Sequence, residues 1–287
     1  MNSNQGINEG FLQQLVEAQK TISSLIETYK KNMSLQEYLV DIRLEGEKFI
    51  RPPPNQKVLR VYGHPYCPYA DRIRLTFYFK NVPFQFCLVD NPTRPQWFKE
   101  LGTEGISPIV ELRNCQELLS ESVPTCFYID KTEVGTRKMM PSDPILVCKI
   151  EITIKKIDEL VNEFYKILKN PADKEPYENL KKCFKKIDSI LSKNSNNPFF
   201  YDLPEVTFAD ICAFPHLRRI ILMKNSVYDD ASKLIDIESY LNIMKWYNSM
   251  IKLDEIKKVL IPEKPWHSIL QRFKEKKTFM LALSDII

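Results

Sequence analysis

The chain has 287 residues, 44% of them hydrophobic and 27% charged, and a formal net charge of +4. That length allows about two domains with real cores, while the mild charge, carried by doublets lying beside acids, offers no concentrated basic stripe for nucleic acid. Seven glycines, three scattered histidines (His64, His216, His267) and seven cysteines with no C-x-x-C pair exclude glycine-rich phosphate loops and speak against a metal site.

An odd cysteine count without a secretory signal points to free thiols in the cytoplasm. No apolar run approaches the ~20 residues of a membrane span. Residues 1–57 read as an extension. Within it Phe11, Leu15, Ala18, Ile22, Leu25 and Tyr29 form the seam of a helix over about 11–31, expected to pack back onto the parent domain. Pro52-Pro53-Pro54 follows as a stiff linker.

From Val58 the pattern turns to strands and short helices. Residues 58–62 read as a strand, 68–80 as a helix and 84–88 as a second strand. Residues 95–101 read as a short helix opening on proline. Strands at 109–112 and 117–119 and a helix from Ser122 to Asp130 complete an α/β unit with a four-stranded mixed sheet over 58–136. From 137 to 287 the strands stop. Ile150, Ile154, Ile157, Val161, Phe164 and Leu168 mark a long helix, with others expected at about 176–192, 208–223, 237–250 and 265–274. No glycine follows Gly135, in keeping with helices joined by Pro, Asn and Asp loops. Thr207 and Asp210 make a capping-box variant at the start of one of those helices.

The sharpest local feature is Cys67, in the turn between the first strand and the first helix, with Pro68 at the first helical position. Unpaired N–H groups at a helix start favour thiolate over thiol. The position that would make a dithiol is Ala70, so an external thiol must resolve any mixed disulfide formed at Cys67. Cys87, Cys126, Cys148, Cys183 and Cys212 lie in apolar periodic contexts and read as buried packing residues. Cys115 reads as a loop thiol. Ser107-Pro108 enters a strand from a loop, a candidate cis peptide with backbone groups available to an extended peptide ligand. Glu121-Ser122 joins an acid and a hydroxyl at a helix N-terminus, suited to a group bearing both ammonium and carboxylate.

The runs Cys67-Pro68-Tyr69-Ala70-Asp71-Arg72, Arg94-Pro95-Gln96-Trp97, Ser107-Pro108-Ile109-Val110-Glu111 and Glu121-Ser122 resemble the omega-class glutathione transferases, over about residues 57–275. The resemblance implies a thioredoxin-like N-terminal domain followed by an all-α glutathione-transferase C-terminal domain, in a homodimer. It implies glutathione as cosubstrate and Cys67 as the nucleophile. Glu121 and Ser122 would hold the γ-glutamyl end, Ser107 with Pro108 the cysteinyl backbone, and Arg94 the glycine carboxylate, with Tyr69 beside them. His216, Arg219 and Trp266 would line the acceptor pocket. The sequence departs from the class at Ser107, usually hydrophobic, at Arg94, usually lysine, and at His216, usually aromatic. The activity implied is thiol transfer and dehydroascorbate reduction. Two alternatives are a membrane-inserting relative of the chloride intracellular channels and a noncatalytic ligand-binding relative.

Overall fold

The first strand of the expected unit, β2 (Leu59–Gly63), sits at the centre of a five-stranded sheet ordered β1-β3-β2-β4-β5. This computed structural model describes residues 51–53, 57–89, 95–101, 107–113, 117–135 and 137–276, with 42–44 as backbone. All of these lie in the second of two units, Met1–Val40 and Asp41–Ile287. The helix expected over 11–31, Pro54, Arg94 and Cys115 lie outside the described residues.

The four expected strands are β2, β3 (Phe84–Val89), β4 (Ile109–Glu111) and β5 (Leu118–Leu119). β3 runs parallel to β2, and β4 runs antiparallel to both β2 and β5. A fifth strand, β1 (Ile42–Leu44), comes from the extension and pairs in parallel with Cys87–Val89. Three residues are too few to carry a readable alternation.

Period-2 alternation gives the sheet two faces. Leu59, Val61, Phe84, Phe86, Leu88 and Val110 pack with α1 (Pro68–Lys80) and α3 (Ser122–Thr132) in the main core. Tyr62, Cys87, Val89 and Ile109 form a smaller cluster with Phe98 of α2 (Gln96–Lys99). Gly63 lets α1 lie close to β2, since a Cβ there would stand 3.1 Å from that of Ala70.

The smaller face also carries a buried polar network. Arg60 and Glu111, 3% and 2% exposed, pair at 3.2 Å, and the Tyr62 hydroxyl donates to the same carboxylate. Arg60 donates further to Gln85 Oε1 (2.6 Å) and to the Pro53 carbonyl (2.7 Å), and Arg51 pairs with Glu111 at 3.1 Å. The segment between β1 and β2 is thus tied to the sheet by side chains that must be satisfied once buried.

Helices α4 (Pro144–Lys169), α5 (Glu175–Leu191), α6 (Phe208–Ile221), α7 (Asp229–Ile235), α8 (Leu241–Met250), α9 (Asp254–Lys257) and α10 (Glu263–Lys276) build the rest. The six apolar residues marking α4 in the sequence are all buried, each worth about 1.5–3 kcal/mol of removal from water. Asp143 caps α4 by accepting from the Ile145 N–H at 3.0 Å. α6 is buried almost all round, as a central helix is, with Asp210, His216 and Arg219 among its buried residues. The capping box is present, and Asp210 also accepts from the Phe200 N–H (3.1 Å) and from Trp246 Nε1 (2.8 Å).

Three features differ from the sequence expectation. The helix expected over 237–250 is a short 3₁₀ turn followed by α8, because Asp188 of α5 accepts from the Asn242 and Ile243 N–H groups and caps the helix there. α7 and α9 are too short to carry a seam. Cys148, expected in the core, is exposed on α4 between the exposed Ile145 and Ile152, whereas Cys87, Cys126, Cys183 and Cys212 are buried. Among the described residues no helix is long and apolar enough to cross a membrane.

Candidate active site

Cys67 is the N-cap of α1 and Pro68 its first helical residue. The turn holding it closes through the Cys67 N–H on the His64 carbonyl (3.0 Å), while the Asp71 N–H donates to the Cys67 carbonyl (3.0 Å). Fixed φ and a missing N–H suit Pro68 to this place, where a donor would have no helical partner. The residue keeps partial exposure.

The sequence led us to expect a thiol lowered by the helix start. The balance in the structure runs the other way. Burial pushes the Cys67 thiol up, against the backbone N–H of Ala70, the Arg219 guanidinium and the Tyr69 N–H, which pull it down, while the Asp71 carboxylate adds to the rise. The sulfur is packed by protein, and desolvation outweighs the polar help.

The Ser107–Pro108 peptide is cis, and the Ser107 carbonyl oxygen lies 4.0 Å from Cys67 Sγ. Pro108 is buried, and Ser107 and Tyr69 are half-buried. Glu121 takes φ 65°, the left-handed side that a non-glycine residue rarely adopts, and its side chain is exposed just before Ser122 opens α3. Ser122 is buried, with Arg72 Nη1 3.5 Å from its Oγ. Arg72 also donates to Asp158 of α4 (3.0 Å) and to the Cys212 carbonyl of α6 (3.2 Å), and it lies over the Tyr69 ring. One guanidinium therefore ties the helix that starts at Cys67 to α3, α4 and α6.

The residues that the resemblance assigns to an acceptor pocket are all packed: His216 and Arg219 are 1% exposed and Trp266 is 3% exposed. His216 meets the Tyr69 ring edge-on at 5.0 Å. Burial, with the positive charges of Arg72 and Arg219, holds its imidazole well below the usual histidine range. Arg219 donates to the Tyr66 carbonyl (2.6 Å) and pairs with the buried Asp71 (3.0 Å). Trp266 Nε1 donates to the Arg219 carbonyl at 3.0 Å.

Asp71 and Arg72 take no role from sequence beyond their place in the Cys67 run, and Asp158 and Tyr165 do not stand out in it at all. Burial pushes the Tyr165 phenol up, and it shares the field of Tyr69, Arg219, Cys67 and Arg72. The signal available was Arg72: neither Pro68 nor Thr76, four residues away on either side, is an acid, so burial demanded a tertiary partner. Tyr165 lies off the α4 seam and carried no such signal. Among the described residues no group of three or more His, Cys, Asp and Glu could hold a metal ion.

Residues 61–137 match the family model for the glutathione S-transferase N-terminal domain. The chain is 25% identical over 212 residues to a probable glutathione transferase omega-2 of Caenorhabditis briggsae, covering 71% of this chain and 81% of that protein. It is 27% identical over 188 residues to glutathione S-transferase omega-1 of Sus scrofa, covering 63% and 76%. Among solved structures, glutathione transferase Omega 3C from Trametes versicolor superposes with a TM-score of 0.61 at 17% identity, over 78% of this chain and 92% of that one. The dehydroascorbate reductase of Chlamydomonas reinhardtii gives 0.61 at 17% identity, over 76% and 99%. The fold is therefore a thioredoxin-like N-terminal portion followed by an all-α portion.

Proposed function

We propose that this relative of the omega-class glutathione transferases is a glutathione-dependent thiol transferase and dehydroascorbate reductase with Cys67 as its nucleophile. The observation that carries the reading is Cys67 itself, partly exposed at the N-cap of α1 and 4.0 Å from the carbonyl before the cis proline. A thiol so placed suits disulfide exchange better than activation of glutathione by a hydroxyl.

In the exchange, Cys67 thiolate attacks the glutathionyl sulfur of a mixed disulfide, the substrate sulfur leaves with the electron pair and takes a proton, and Cys67 becomes glutathionylated. A second glutathione thiolate attacks that disulfide, releasing oxidised glutathione and restoring Cys67. For dehydroascorbate, two glutathiones supply the two electrons and leave as their disulfide. Glu121 and Ser122 hold the γ-glutamyl end in this reading, Ser107 and Pro108 the peptide backbone, Arg94 the glycine carboxylate, and Tyr69 flanks the sulfur. The action as a homodimer in the cytoplasm belongs to the same reading.

Incubation with oxidised glutathione followed by peptide mass spectrometry tests it. The expected result is one glutathionyl group on Cys67 and none in Cys67→Ala, which also loses reduction of dehydroascorbate. Full reductase activity in Cys67→Ala overturns the proposal.

A further inference from the structure

We infer that Arg219 is a positioning residue for the Cys67 thiol, linking α10 to the turn that carries the sulfur, and not a contact for the acceptor. The inference rests on Cys67 being the reacting thiol and gives Arg219 a role other than the pocket lining implied by resemblance.

The geometry brackets Cys67 on both sides. Arg219 Nη2 donates to the carbonyl of Tyr66, the residue just before the cysteine, at 2.6 Å. The same nitrogen lies 3.0 Å from Oδ2 of Asp71, whose own N–H closes on the Cys67 carbonyl. One guanidinium therefore grips the chain immediately before the sulfur and one helical turn after it. Arg219 is in turn fixed from behind: Nη1 donates to the Pro215 carbonyl at 2.7 Å, Trp266 of α10 donates to its carbonyl at 3.0 Å, and the guanidinium stands 5.7 Å from the Trp266 ring centre. A forked, buried cation so held is suited to orienting protein groups. At 1% exposure it presents almost no surface to a diffusing substrate.

The pair also sets the field at the sulfur, with opposite signs. Arg219 favours the thiolate and Asp71 opposes it. The other charged or titratable neighbours are Tyr69 on α1, which feels the Cys67 charge, and Tyr165 on α4. His64 and Tyr66 belong to the turn itself, and His216 of α6 reaches the site through Tyr69. Arg72 acts on Tyr69 and Tyr165. Asp71 is buried against both Arg219 and Arg74. Replacing either member of the Asp71–Arg219 pair therefore has a signed effect on the thiol, which loss of structure alone does not produce.

The test is the pH dependence of iodoacetamide alkylation at Cys67 in the full chain, with the label assigned by peptide mass spectrometry and the fold checked by circular dichroism. Arg219→Gln moves the alkylation midpoint up by about one pH unit, and Asp71→Asn moves it down by a similar amount. Arg219→Lys, which keeps the charge and loses the fork, returns the midpoint toward wild type. Shifts of the same sign in the Gln and Asn variants, or no shift in either, overturn the inference. Should Arg219→Gln fail to fold, Asp71→Asn decides: a falling midpoint supports the inference, and an unchanged or rising one overturns it. A Cys67 that shows the opposed shifts but takes up no glutathione defeats the proposed function and leaves Arg219 as its positioning residue. A Cys67 that is glutathionylated yet blind to both substitutions does the reverse.

Discussion

Cys67 Sγ lies 4.0 Å from the carbonyl oxygen of Ser107, so the cysteine meets the residue before the cis proline through main chain and not through its hydroxyl. Under the proposed function, Ser107→Ala is therefore expected to keep near wild-type glutathionylation and reductase rates. Cys67→Ser loses the rate by orders of magnitude, since the alkoxide is far less available than the thiolate. Steady-state assays with glutathione and dehydroascorbate compare the two.

The Arg60–Glu111 pair makes a stability prediction away from the sulfur. Glu111→Ala leaves a guanidinium buried beside Tyr62, and the expected cost is about 3–5 kcal/mol. The double variant Arg60→Met, Glu111→Leu costs less than the single one, because the buried Arg60 guanidinium is removed along with the carboxylate. Urea denaturation followed by circular dichroism measures both.

His216 gives a signed pH dependence. Its imidazole is held well below 6.5 in the folded chain, by burial first and then by Arg72 and Arg219. Below about pH 6.5 the unfolded chain therefore binds a proton that the folded chain does not. Stability falls as pH drops through that window, by up to about 1.4 kcal/mol per pH unit, until the folded pKa is reached. His216→Phe keeps an apolar ring against Tyr69 and should flatten this part of the profile. Melting temperatures between pH 7 and pH 5 show whether the slope is lost.

Asp210 is the acceptor for the Thr207 N–H, the Phe200 N–H and Trp246 Nε1. Asp210→Ala leaves all three donors without it, and the expected loss is more than about 3 kcal/mol from the buried groups together. Asp210→Asn retains part of the acceptor capacity and loses less. Denaturant midpoints of the two variants rank the effect.

Much of the fold was legible because its residues announce local rules. The 68–80 helix keeps the bounds expected of it, opening on Pro68 and ending where Asn81 takes a left-handed cap at φ 53°. The 150–168 seam predicts every core position of α4 that it names. What could not be read depends on distant partners. The start of α8 is set by Asp188, more than fifty residues earlier. The exposure of Cys148 depends on which side of α4 the rest of the chain leaves uncovered. At the site, Cys67, Ser107 and Glu121-Ser122 stand out by residue type and order. The raised thiol does not, because it follows from how closely protein surrounds the sulfur. The glycine-free half contains left-handed residues after all, at Tyr201, Asp202, Asn225 and Asp236. Asn and Asp tolerate that region with side chains that bond locally, so the absence of glycine restricted which residues make such turns and did not remove them.

The strand Ile42–Leu44 gives the leading segment a duty toward the sheet that its sequence hides. Without β1, the backbone of Cys87–Val89 would form an open margin with hydrogen-bonding groups facing outward, the arrangement that invites a neighbouring molecule to add its own strand. A chain shortened to begin at Lys57 would lose that guard together with the Arg51 and proline contacts to Glu111 and Arg60. It would be expected to self-associate as its concentration rises, even with Cys67 and its surroundings intact. The stretch from β1 to β2 thus acts as a selvage, keeping the woven edge from catching on its copies.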